Sequence, residues 1–470
     1  MKPIPVDDLA GRLGRWSAGR GSLHLLLAAR LRELIEEGLL PAGTLLPPDR
    51  ALASGLAVGR TTVIAAYDLL RQEGRLTRRR GSGTWVAPGG GAAAALAETA
   101  NPMFVNLLEP PDGVLQFACA GPVGPPELLV QAQRRAVDRL AARRGGADLG
   151  YHPAGHPALR AALAGRYREL GVPTAEGQVL VTTGAQQALA LLVRALVRPG
   201  DEVLAQAPTY PGALDLFREA GAVVRAGGDL AGELGRSRPA LVYAMPSFLN
   251  PTGASMSALE RTRLVRAAGG VPLVFDEVLS ELDLTGAPTR PPTPGAITVA
   301  SLSKVVWGGL RVGWVRADAA LVARLARFKA VHDLGGSVLD QLAAVELLAD
   351  FEAVRAVRVA SLRRRHDHLC ARLREELPEW EFTPAEGGQT LWVRLPGVDA
   401  AAYAQAALRH GVAVLPGGSL DPTGGSADRL RLPFTAGPEV IDAAVSGLAA
   451  AWRAFAADPA HRPLVPSMSV

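Results

Sequence analysis

At 470 residues with 48% hydrophobic side chains, the chain is too long for one ordinary core and apolar enough to build two or three, which excludes a disordered polymer. Its two cysteines, Cys119 and Cys370, are too few for a disulfide framework or an unaided structural zinc site, and both are expected to be small buried hydrophobes in a reducing compartment. Residues 1–88 hold 13 Lys+Arg against 8 Asp+Glu while the remainder balances 37 against 37, so the whole net charge of +5 sits in the first fifth of the chain, as a local nucleic-acid footprint would require.

The opening residues, MKPIPVDDLAGRLGRW, place Asp7, Asp8 and Arg12 where a secretion signal needs an apolar run, and no apolar stretch is long enough to cross a bilayer. A cytoplasmic protein with no membrane segment is expected. Residues 22–37, SLHLLLAARLRELIEE, space their apolar side chains along one helix face and meet stop signals at Gly38 and Pro41. A second helix is predicted from about Asp49 through Leu56, then a turn at Ala57-Val58-Gly59, then a longer helix from about Arg60 to Glu73, closed by Gly74. Helix, tight turn, helix is the arrangement that reads a DNA groove. Arg75 to Arg80 and Thr84-Trp85-Val86 flank Gly81-Ser82-Gly83 and read as two short strands around a glycine turn, a wing.

Arginine and threonine at the start of the longer helix can reach base edges or phosphates, and glycines let the backbone approach closely. Leu46-Pro47-Pro48-Asp49-Arg50-Ala51-Leu52-Ala53, Val58-Gly59-Arg60-Thr61-Thr62-Val63, Ala66-Tyr67 and the Gly81-to-Thr84 turn, in that order, resemble the GntR class of winged helix-turn-helix regulators. The resemblance implies contacts to double-stranded operator DNA from Arg50, Arg60, Thr61, Thr62 and Tyr67, with Gly81, Ser82 and Gly83 in the wing. The chain departs from the class at Gly59, where serine usually caps the helix; glycine costs only about a few tenths of a kcal/mol there.

A stretch poor in large apolar residues, APGGGAAAALAETANP and then EPPD, makes 89–112 a linker between a domain at 1–88 and another at 113–470. Beyond it, QVLVTTG (178–184), EVLAQAP (202–208), ALVYAMP (240–246), PLVFDEV (272–278) and AITVASL (296–302) are β-rich runs, most of them separated by helical patterns. That alternation predicts an α/β domain with a mostly parallel sheet over about 113–315, with ligands beyond the carboxyl ends of its strands. From about 316 to 455 long helices, then EWEFTPAEGGQTLWVRLP and RLRLPF, predict a smaller α+β part with antiparallel strands.

The chain has three lysines, Lys2, Lys304 and Lys329, against 47 arginines, so a lysine in a motif-like loop points to chemistry arginine cannot perform, since only lysine readily gives up its proton to become a nucleophile. Ser301-Leu302-Ser303-Lys304 follows an apolar strand and precedes Arg311; two hydroxyls and an arginine suit a phosphate held beside a Schiff-base amine. Thr182-Thr183-Gly184-Ala185-Gln186-Gln187 opens a helix whose free N–H groups favour an anion. Asp276 ends a strand, where a carboxylate can keep a pyridinium nitrogen protonated. His366 and His368, two apart, face different sides of a helix, so no metal site is expected.

These segments look like fold-type I aminotransferases, and roughly residues 10–450 resemble the MocR/GabR subfamily of GntR regulators. The resemblance implies pyridoxal phosphate (PLP) on Lys304 as a Schiff base, Asp276 on the ring nitrogen, Tyr210 stacked on the ring and Asn250 on the ring hydroxyl oxygen. It implies Gly184, Ala185, Gln186, Ser301, Ser303 and Arg311 around the phosphate, Arg431 gripping a carboxylate, and Tyr151 on a loop reaching the partner subunit of a homodimer. Val278 stands where many members have tyrosine, whereas Asn250 keeps the ordinary aminotransferase pattern. The leading expectation is a PLP-binding regulator that senses an amine, an amino acid or PLP itself; the alternatives are a working aminotransferase with an accessory DNA-binding module and a cofactor-free repressor.

Overall fold

The structure, a computed structural model, describes residues 4–14, 16–18, 22–36, 39–41, 43–72, 75–79, 83–86, 113–142, 148–288 and 290–457. The chain divides into two compact units, Met1–Val105 and Asn106–Val470. The expected linker 89–112 and the wing residues Gly81 and Ser82 lie outside the described residues.

The first unit contains α1 (Val6–Leu13), α2 (Leu23–Glu36), α3 (Asp49–Gly55), α4 (Arg60–Gln72), β1 (Leu76–Arg79) and β2 (Gly83–Val86). The predicted helix-turn-helix is α3 and α4. Helix α1 was not anticipated; it contributes Leu9 and Leu13 to a core shared with Leu27, Leu31, Leu52, Val63, Leu70 and Leu76. β1 and β2 pair antiparallel, and residues 43–46 extend the wing through bonds from Gly43 N to Val86 O, Val86 N to Thr44 O and Leu46 N to Thr84 O, each 2.9 Å. PAGTLLPP thus carries an isolated antiparallel bridge, Leu45 to Trp85, that gives its backbone groups partners a free loop would leave to water.

The second unit runs β3 (Leu115–Gln116), α5 (Glu127–Ala142), α6 (Pro157–Glu169), β4 (Val179–Thr182), α7 (Ala185–Leu196), β5 (Glu202–Gln206), α8 (Pro211–Glu219), β6 (Val223–Gly227), α9 (Leu230–Glu233), β7 (Leu241–Ala244), α10 (Ala258–Ala268), β8 (Leu273–Asp276) and β9 (Ile297–Ser301). It continues with β10 (Gly313–Arg316), α11 (Ala319–Asp333), α12 (Val338–Leu348), α13 (Phe351–Glu376), β11 (Glu381–Phe382), β12 (Thr390–Arg394), α14 (Ala400–Arg409), β13 (Val412–Ala413), β14 (Leu415–Pro416), β15 (Arg429–Pro433) and α15 (Pro438–Ala457).

Among the described residues its main sheet has seven strands in the order β4-β10-β9-β8-β7-β5-β6, parallel except for β10. All five apolar runs are strands of this sheet. β6 and β10 are additions: β6 is a half-exposed edge and β10 enters antiparallel between β4 and β9, so neither shows the apolar run of a buried parallel strand. β11, β12, β15 and β14 form the antiparallel sheet expected of the smaller part. Side-chain caps fix the helix starts that frame the large sheet: Ser257 and Glu260 cap α10 reciprocally, and Asp318 caps α11. No helix among the described residues is long and apolar enough to cross a membrane.

Candidate functional site

In the first unit, Arg50, Arg60 and Thr61 are exposed and Thr62 is half-buried. Arg60 opens α4, and its Nε donates to Asp49 Oδ2 at 2.8 Å, tying the two helices of the motif at the surface. Gly59 precedes α4 and its carbonyl accepts the Thr62 N–H at 3.0 Å. Gly83 has φ +93°, a left-handed backbone conformation that favours glycine. Tyr67 differs from the expectation of an exposed contact: it is 7% exposed in the core, with its hydroxyl donating to Pro47 O at 3.0 Å. Its helix position puts it on the same stripe as Val63 and Leu70, the face that α4 buries.

The second unit gathers its candidates beyond the carboxyl ends of β4, β5, β8 and β9. β4 runs into Gly184, which stands at the N-cap of α7 with φ +102° and no side-chain cap, leaving the first-turn N–H groups free for an anion. Arg311, held at φ +53°, brings its guanidinium against Gly184, where a Cβ would lie 3.0 Å from Nη2, and it donates to Thr183 O. Gly313 lets these chains meet, since a Cβ on it would lie 2.6 Å from the Gly184 carbonyl carbon. Ser301 ends β9 and accepts the Ser303 N–H at 3.4 Å, so both hydroxyl-bearing residues sit in the turn carrying Lys304.

Behind this cradle is a support that sequence reading passed over. Gln187 Oε1 accepts the Thr183 N–H at 2.9 Å, and its Nε2 donates to Asp333, which Lys329 also grips at 2.8 Å. The third lysine is thus a buried structural ion pair. Gln186, expected at the phosphate, uses its side chain elsewhere: Nε2 donates to Gly212 O at 2.9 Å and Oε1 accepts the Tyr210 hydroxyl at 3.1 Å. Burial, reinforced by Asp276, pushes the Tyr210 phenol well up, so it stays a donor.

Asp276 is 2% exposed, accepting from Tyr243 Oη at 2.9 Å and from the Val278 N–H at 3.1 Å. Burial lifts its carboxyl to about 6 against the lowering pull of those bonds and of Lys304. Tyr243 was not anticipated; a tyrosine inside the apolar run of β7 gives a core signal and nothing more. The Lys304 side-chain nitrogen donates to Ala120 O at 2.6 Å. Burial pulls its pKa below the ordinary lysine value; Arg431 and Arg358 act in the same sense, and Cys119 and Asp276 oppose them.

Arg431, on β15, is 5% exposed; Nη1 donates to Asn250 Oδ1 at 3.1 Å, Nη2 donates to Ala118 O, and Nε is buried without a partner. Burial draws this guanidinium down to about 10. Cys119 corrects a second expectation. It is half-exposed and lies between the carbonyls that receive Lys304 and Arg431, near enough to interact electrostatically with both, whereas Cys370 is buried as expected. Tyr151 is 65% exposed.

His366 accepts the Ala385 N–H at 3.0 Å and His368 pairs with Asp442 at 2.9 Å. Asp148, His152 and His156 bring one potential ligand atom each within 4.8 Å of one another, a grouping not considered from sequence. These groups have partners already: Asp148 accepts from Gly150 N–H and pairs with His152, and His156 Nδ1 caps α6 through Ala158 N.

A phosphorylated aldehyde cofactor fits what is present. An uncapped helix terminus with an arginine would receive the phosphate, a lysine with depressed proton affinity would meet the aldehyde, and a buried carboxylate stands at a strand end. Residues 121–448 match the family model for aminotransferase class I and II, and residues 25–86 match that for bacterial regulatory proteins, gntR family. A 2-aminoadipate transaminase of Thermus thermophilus is 34% identical over 74% of this chain and 91% of its own length. A relative from Rhizobium meliloti, named "Probable rhizopine catabolism regulatory protein MocR", is 32% identical over 76% of this chain and 78% of its own. The solved structure of LysN, the α-aminoadipate aminotransferase of Thermus thermophilus complexed with N-(5'-phosphopyridoxyl)-L-leucine, superposes with a TM-score of 0.68 at 31% identity, covering 77% of this chain and 98% of that one. The chain therefore belongs to the aminotransferase class I and II family, in the MocR branch of GntR regulators, where a gntR-type DNA-binding domain precedes an aminotransferase domain that takes PLP.

Proposed function

We propose that this regulator binds its operator as a homodimer and senses a small amine, an amino acid or PLP itself at Lys304. The carrying observation is that Lys304, Asp276, Arg431 and the Gly184–Arg311 cradle converge in a chain that also holds a GntR domain. When bound, PLP supplies an electrophilic carbon for amines and a ring that withdraws electrons from them.

The protein's own residues supply the rest. The N–H groups opening α7, at Ala185 and Gln186, with Ser301, Ser303 and Arg311, hold the phosphate. Gln186 orients the Tyr210 ring, Asn250 meets the ring hydroxyl oxygen, and the Asp276 carboxylate keeps a proton on the ring nitrogen. Arg431, with a spare Nε, takes the effector's carboxylate as a fork. The exposed Tyr151 suits a loop that reaches a partner subunit. Arg50, Arg60, Thr61 and Thr62, with Gly83 in the wing, meet the DNA. An effector that engages Lys304 and Arg431 together binds one arrangement of the second unit better than others, and that difference in affinity is what drives the change in DNA binding.

Footprinting on the chain's own upstream region, with and without PLP and a panel of amines and amino acids, tests this. Protection that changes with PLP or with one amine supports it; protection indifferent to both overturns the sensing role. A working aminotransferase is the second reading, favoured by the 34% identity to a transaminase and by the retained Asn250 and Arg431. Steady turnover with a keto acid would establish it, whereas one slow half-reaction would not.

A further inference from the structure

Two side chains from the smaller α+β part meet on the backbone of Lys304. Arg358, on α13, donates its Nε to Lys304 O at 3.2 Å, and Gln389, just before β12, donates its Nε2 to the same oxygen at 3.2 Å. Arg358 is half-buried, and its Nη2 and the Gln389 Oε1 are buried without a partner among the described residues. Keeping a guanidinium in such a place is costly: burial, with Arg365 beside it, draws Arg358 down to about 10. A hydrophobic residue of similar length would fill the space without this penalty, which points to a task that needs the charge.

We propose that Arg358 is a positioning residue for Lys304: with Gln389 it clamps the carbonyl of the lysine, and it sets a fixed positive charge beside the lysine's amine. This rests on the reading of Lys304 as the cofactor-bearing residue. The groups facing the amine are Asp276 from β8, Cys119 from the segment after β3, Arg431 from β15 and Arg358 from α13. Burial disfavours a proton on the nitrogen first; Arg431 and Arg358 act in the same sense against Cys119 and Asp276, and Arg358 is the cation that also fixes the backbone. Because both clamping donors come from the smaller part, its placement and the reactivity of the lysine are linked through a single carbonyl.

The test titrates the visible absorbance of the PLP-loaded full chain against pH. Removing the charge in Arg358→Met or Arg358→Gln is expected to raise the midpoint by about one pH unit, a tenfold gain in proton affinity. Arg358→Lys restores the charge and is expected to return the midpoint towards that of the wild type. Gln389→Leu removes half the clamp and no charge, so it is expected to speed PLP loss with the midpoint unchanged. Should the charge-removing variants fail to fold, PLP loss from Gln389→Leu no faster than from the wild type overturns the clamp. Midpoints equal to wild type in folded Arg358→Met and Arg358→Gln overturn the proposal. A wild type with no visible band overturns the cofactor reading of Lys304 instead.

Discussion

Arg60 and Arg431 show how differently the two units use the same side chain. Arg60 stands half in water at the start of α4 and makes a surface pair with Asp49. Arg431 is buried and joined to Asn250 and to the Ala118 carbonyl. An exposed guanidinium can be recruited by any phosphate at little cost, so the DNA-binding unit spreads its task over several loosely held groups. A buried one has lost its water and functions only where its partners are already aimed, so around Lys304 each residue depends on its neighbours. Substitutions should therefore give steep effects in the second unit and graded ones in the first.

Lys304→Ala is the most severe test: it should abolish the visible band of the PLP-loaded protein while near-UV circular dichroism stays native. A surviving band would move the cofactor to another amine. Asp276→Asn comes next and has a definite sign. The native carboxyl titrates at about 6 and the unfolded one near the ordinary value of about 3.9, so between these pH values the native state holds more protons. The stability of the cofactor-free wild type should then fall as pH rises from about 4 to about 6, by about 2–3 kcal/mol, and level off above. Asparagine can accept the Val278 N–H through Oδ1 and donate through Nδ2 to the Tyr243 hydroxyl oxygen, without that ionisation. Urea unfolding of the second unit should find Asp276→Asn more stable than wild type at pH 8 and equal to it below about pH 4. Equal pH profiles for both proteins would mean that the carboxylate is not buried as described.

Arg60→Ala should weaken operator binding by about tenfold and reduce the salt slope by about one. An unchanged slope would remove Arg60 from the phosphate contacts and leave its pair with Asp49 as its role. Gly59→Ser is the mildest, stabilising the first unit by about a few tenths of a kcal/mol through a better cap on α4. That small gain, read by thermal unfolding, would set the scale for the graded behaviour of the surface unit.

The readable parts of the molecule were those whose signal is local. The helix-turn-helix, the five apolar strands, the turn at Gly184 and the Ser301–Lys304 loop each sit within a short run of consecutive residues, and periodicity or a single turn residue marks them. Tyr67 was misread because a motif position says which residue is present and not which face it turns to. Cys119, Tyr243, Arg358 and Gln389 left no mark of function in their own segments. Their partners lie far away along the chain: Lys304 meets Ala120 across 184 positions, and Arg431 meets Ala118 across 313.

Residue type and short spacing were enough to reveal a basic helix-turn-helix module ahead of an α/β domain with a lysine, a carboxylate and an uncapped helix start at strand ends. Packing alone brings the lysine's amine and the Arg431 guanidinium onto one short segment and holds the lysine's carbonyl from the smaller part. Burial and charge between groups hundreds of residues apart depend on how strands and helices pack, and no local pattern encodes that.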